Sequence, residues 1–120
     1  MTVLLIALGA ALGAPLRYLT DRAVQARHHS RFPWGTLTVN VVGSLLLGAV
    51  VGVPAGPVVT ALVGTGFCGA LTTWSTFGYE TVRLARAGNR RHAVANALVS
   101  VVAGLGAATL GFALARTLTG

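Results

Sequence analysis

The sequence predicts an all-α integral membrane protein of four transmembrane helices, and three observations carry that reading. Hydrophobic residues make up 54% of the 120-residue chain and charged residues only 9%, against about 25% charged in a soluble domain. Eight of the nine arginines fall in two short stretches, residues 17–31 and 83–91, as in loops that flank membrane spans. The remaining stretches are apolar and long enough to supply the roughly 20 residues that a helix needs to cross hydrocarbon. One domain, residues 1–120, fits this length, and the spans leave no soluble domain over.

The formal charge of +7 raises the possibility of a nucleic-acid partner. Confinement of the arginines to loops, with Asp21 and Glu80 the only acids, points to lipid as the solvent instead. Cys68 is the single cysteine, so no intrachain disulfide forms. Its apolar neighbours make it a small buried residue rather than a reactive thiol.

The first span runs from Thr2 to about Leu19. No basic residue precedes residues 2–16 and further apolar spans follow, so it reads as a retained helix and not a signal peptide. Arg17-Tyr18 is an interfacial pairing of cation and aromatic. A polar loop, Asp21 to Arg31, is expected next. Its adjacent His28 and His29 would point in different directions on any regular element, which suits a solvated loop and not a metal site. The second span runs from about Trp34 to Val53, with Pro33 suited to a first helical turn. Residues 53–57 make a tight connection, and the third span begins near Val58. The fourth runs from about His92 to Leu114, after the basic loop Arg83 to Arg91.

The spans are rich in small residues. Gly9 and Gly13 lie four apart, as do Gly48 and Gly52, and Ala103, Ala107 and Gly111 form a similar stripe. Lipid provides little hydrophobic drive between helices, so close backbone approach through small faces does the packing. Four helices this small enclose little by themselves, and a dimer is expected.

The third span is irregular. A straight helix from Val58 to Gly88 would be about 46 Å long at ~1.5 Å per residue, more than a ~30 Å hydrocarbon core. Gly64, Gly66 and Gly69, followed by Thr72-Thr73-Trp74-Ser75-Thr76, favour a break. Freed carbonyls at a break must be satisfied within the membrane and suit a hard cation. The alternative is a helix that ends at the interface, with Trp74 and Tyr79 as belt aromatics. Asn40 lies mid-span in the second helix, and Asn96 and Ser100 share one face of the fourth. These polar groups either bond between helices or form a track for a permeant species. Glu80 and Arg83 lie three apart, where they either pair or stay separately solvated.

The run Gly66-Phe67-Cys68-Gly69-Ala70-Leu71-Thr72-Thr73-Trp74-Ser75-Thr76-Phe77, followed by Glu80, resembles the signature of the Fluc/CrcB fluoride channels. Gly9 to Tyr18 is similar to the family's first helix, and Pro33 to Ser44 to the start of its second. The resemblance implies a third helix broken at mid-membrane and an antiparallel dimer of two subunits. It implies two narrow pores for fluoride and a structural, non-transported sodium ion held by backbone carbonyls, here those of Gly69 and Thr72. It further implies that Asn40, Trp74, Phe77 and Ser100 line the pore, in a multi-pass protein of the cell membrane that relieves fluoride toxicity by export from the cytoplasm. The family usually has phenylalanine where this chain has Trp74. Tryptophan keeps an apolar edge able to face an anion and adds bulk and an indole N–H.

Fluoride chemistry agrees with this, since weak, distributed donors let a strongly hydrated ion enter and leave. No paired carboxylate, Ser–His–Asp set or metal-ligand cluster points to an enzyme. A small multidrug-resistance exporter would need an acid inside its first helix to carry protons, and this chain has none before Asp21. A non-conducting assembly subunit is a third reading. Orientation adds a constraint. The loops after the first and third spans share one side, with Arg17, Arg22, Arg27, Arg31, Arg83, Arg86, Arg90 and Arg91; the other side carries only Arg116. Such a bias favours one fixed orientation with both termini outside, whereas an antiparallel dimer needs two. Either the partner is a homologue of reversed bias, or Arg17 and some third-helix arginines sit in a pore vestibule and the dimer pairs identical chains.

Overall fold

A computed structural model describes residues 1–28 and 31–119 of the chain. Its secondary structure is helical throughout: α1 (Thr2–Arg27), α2 (Trp34–Gly52), α3 (Gly56–Val59), a wide π-wound segment (Thr60–Cys68), α4 (Gly69–Leu71), α5 (Trp74–Arg86) and α6 (Arg90–Thr119). Among the described residues, four helical stretches are long and apolar enough to cross a membrane: α1, α2, residues Gly56–Arg86 taken together, and α6.

α1 continues through most of the segment expected as a polar loop. Ala23, Gln25, Ala26 and Arg27 are good helix formers, and Arg22 Nη1 donates to the Tyr18 hydroxyl one turn back at 3.4 Å. Gln25 is held in place because its Oε1 accepts from the Gly35 amide at 2.9 Å. The helix ends where His28 turns extended and its ring stacks on Trp34, centroids 5.5 Å apart. His29, the other half of the histidine pair, lies outside the described residues. α6 likewise overruns the expected His92–Leu114, at both ends, to 30 residues. Arginine and threonine at its ends do not terminate a helix as glycine or proline would. α2 starts at the expected Trp34 and ends one residue short of Val53, with Pro33 at the cap position just before it.

The small-residue faces make the closest helix contacts. A Cβ on Gly48 would strike the Ala108 carbonyl oxygen, and one on Gly111 would strike that of Leu45. α2 and α6 therefore meet backbone to backbone. Gly9 and Gly13 of α1 do the same against Leu62 and Phe67 of the π-wound segment. α5 stops in a Schellman turn: Gly88 adopts φ +84°, its amide donates to Ala85 O and that of Asn89 to Leu84 O. That turn folds α6 back along α5. Much of the apolar surface is left outside; the most apolar window of α1 is only 11% buried.

Candidate functional site

The third span is interrupted at Thr72 and Thr73, which are both extended (ψ 158° and 120°). Each consequence can be traced to a named hydrogen bond. In a continuous helix the Thr73 amide would donate to the Gly69 carbonyl. Here it donates to Asn40 Oδ1 at 2.7 Å, while Asn40 Nδ2 donates to the Thr73 carbonyl at 3.1 Å. The Thr76 amide would donate to the Thr72 carbonyl. Here it is taken by Thr73 Oγ1 at 3.1 Å, which caps α5. The carbonyls of Gly69 and Thr72 thus both lose their helical donors. Gly69 is exposed, and no described atom beyond its own stretch of helix lies within 4 Å of where a Cβ would stand.

An open cleft of about 410 Å³ lies between α2, the break, α5 and α6. Asn40, Thr72, Trp74, Phe77 and Ser100 all line it, so five of the six site residues singled out in the sequence share this one surface; Gly69 is not among its lining residues. Ser44 also lines it. Sequence reasoning missed Ser44, although it lies one helical turn from Asn40 on the same face. Phe77 is buried at 8% exposure, Trp74 is 77% exposed, and their rings lie 5.1 Å apart at 44°. Among the described residues, no ionisable side chain lines the cleft. It offers amide and hydroxyl groups and aromatic rings, but no charge that would trap an ion or a proton.

Behind the cleft wall, Asn96 is 1% exposed. It bonds to Ser100 in its own helix and to Thr81 of α5. The Thr81 contact joins residues 15 apart in sequence and could not be read from spacing.

A second cleft, about 490 Å³, lies at the arginine-rich end and is lined by Gln25, Arg31, Glu80, Arg83 and Asn89 among others. Glu80 and Arg83 both face it but do not pair. Glu80 Oε1 is enclosed with no hydrogen-bond partner among the described residues, while Arg83 is exposed. One turn of helix separates them, and no ion pair forms between them although both line the one cleft.

Residues 4–112 match the CrcB-like protein family, described as camphor resistance (CrcB). The chain is 59% identical over 129 aligned positions to the fluoride-specific ion channel FluC 1 of Frankia casuarinae, with all of both chains covered. It is 54% identical to the protein of that name from Streptomyces avermitilis, with 98% of each chain covered. It is 49% identical to the fluoride-specific ion channel FluC 2 of Mycobacterium tuberculosis, over 83% of this chain and 79% of that one.

Proposed function

The chain belongs to the CrcB family, and from that premise we propose that it is a subunit of a membrane channel conducting fluoride out of the cytoplasm, passively and down its gradient. The observation that carries this reading is the cleft at the helix break. It brings Asn40, Phe77 and Ser100 onto one surface with hydrogen-bond donors and no charge. One Asn40 amide hydrogen is committed to Thr73, which leaves its second for an anion. The positive rims of Phe77 and Trp74 face a small anion favourably, and hydroxyl donors replace part of its water shell. Each contact is weak, so the ion is not retained.

The cleft is open along one side, with Trp74 exposed at its edge. A second, oppositely oriented subunit closes it in this reading. The same second subunit completes a sodium site. The Gly69 and Thr72 carbonyls fit a hard monovalent cation, being neutral oxygens without helical donors on an open surface. Two such carbonyls from one chain are too few ligands, and a partner would supply the others. Bound there, sodium would fix the two breaks against each other and would not itself be transported.

Fluoride efflux from liposomes tests the assignment. Replacing Phe77 by Ile removes the aromatic rim and keeps an apolar side chain, and efflux should slow by about tenfold or more while the dimer stays assembled. Undiminished efflux would reject the cleft as the path.

A further inference from the structure

Three hydrogen bonds join Ser100, at the cleft, to the backbone of Phe77. Ser100 Oγ lies 3.2 Å from Asn96 Oδ1, Asn96 Nδ2 lies 2.8 Å from Thr81 Oγ1, and Thr81 Oγ1 lies 2.8 Å from the Phe77 carbonyl. Counting protons fixes the direction of every bond. A carbonyl can only accept, so the single Thr81 proton goes to Phe77. Thr81 Oγ1 can then only accept from Asn96, so the amide nitrogen must face it. The amide oxygen therefore faces Ser100, and Ser100 must give it its one proton. Thr38, Thr60, Thr72, Thr117 and Thr119 hand their protons to the carbonyl four residues back; Ser100 hands its proton to a side chain.

With its proton given to Asn96, Ser100 turns lone pairs and not its proton toward the cleft. We propose that Asn96 is a positioning residue for conduction: it withholds the Ser100 proton, yields it to an arriving anion, and reclaims it as the anion leaves. This rests on the reading that the anion passes Ser100. Asn96 does not line the cleft and is fully buried, so it acts only through its neighbour. Competition of this kind keeps one donor weak and the ion moving.

The test is the dependence of single-channel current on fluoride concentration, for the assembled channel in planar bilayers. Asn96→Leu keeps the branched shape, is somewhat bulkier and has no acceptor. It should release the Ser100 proton and lower the half-saturating fluoride concentration by roughly three- to tenfold, the worth of one neutral hydrogen bond. Ser100→Ala should raise it, and Asn96→Leu should add nothing in the Ser100→Ala background. Thr81→Val lies outside the cleft and frees the Asn96 amide to turn over. It should shift half-saturation in the same direction as Asn96→Leu, and it serves if Asn96→Leu does not fold. If these variants lower melting temperature and current but leave half-saturation unmoved, Asn96 is merely structural and the proposal fails. If Ser100→Ala and Phe77→Ile both conduct as the unmodified chain does, the path itself is wrong and the proposal falls with it.

Discussion

Gly48 and Gly111 have no room for a methyl group, because each would drive a Cβ into a carbonyl oxygen of the facing helix. Backbone cannot step aside as a flexible side chain can, so Gly48→Ala should cost about 1–3 kcal/mol by overpacking. Gly106 is the internal control, since no described atom beyond its own stretch of helix lies within 4 Å of its added Cβ. In detergent, Gly48→Ala should lower the melting temperature or abolish the monodisperse species, and Gly106→Ala should leave the subunit folded. Equal melting of the two would show that the α2–α6 contact is looser than described. At this scale the sequence was informative wherever a residue was out of keeping with its surroundings. Asn40 and Ser100 could be picked out because polar side chains stand out on apolar spans, Phe77 came only through the family resemblance, and all three line the cleft. The glycine stripes stood out by their spacing. The Asn96–Thr81 bond did not, because it depends on how tightly α6 folds back along α5. That is set by the Gly88 turn and not by any periodicity.

The element that matters most is the interrupted third span. Its glycines and hydroxyl residues made a break legible, but composition could not choose between a break and an early helix end. Asn40 is what makes the interruption persist. Its amide group satisfies both the N–H and the C=O of Thr73, which would otherwise be unpaired polar groups in an apolar setting. Asn40→Leu removes both partners, and the Thr73 amide then does best by donating to the Gly69 carbonyl and continuing the helix. That change should remove the proposed sodium ligand together with the donor for fluoride. Sodium, compared with choline, should raise the melting temperature of the unmodified channel by mass action on the folded state. The Asn40→Leu channel should lose that difference and conduct little. A sodium shift that persists in Asn40→Leu would separate Asn40 from the cation site. Helix ends were the least legible feature of the elements. Both α1 and α6 run past their expected limits, because arginine, glutamine and alanine are good helix formers whether lipid or water surrounds them.

At the scale of the whole molecule, the distribution of arginine bears on how two subunits meet. Arg22, Arg27, Arg31, Arg83, Arg86, Arg90 and Arg91 are all exposed, and Arg116 alone lies at the other end. Arg31 and Arg83 line the cleft beside Glu80, so they can be set aside as vestibule charges, and so can Arg17, which is half-buried ten residues inside the end of α1. The bias is then five against one, still enough to fix an orientation, since a few charges in short loops decide topology. A chain so biased is expected to insert one way. The antiparallel pairing proposed above then needs a homologous partner of reversed bias. Single cysteines placed at either terminus test this directly, because native Cys68 is 1% exposed and should not compete for a membrane-impermeant thiol reagent. With this chain expressed alone, both termini should label only from outside the cell, and purified protein should give no fluoride efflux until the partner is added. Equal labelling from both sides, with efflux intact, would instead establish a dual-topology homodimer and remove the partner from the argument.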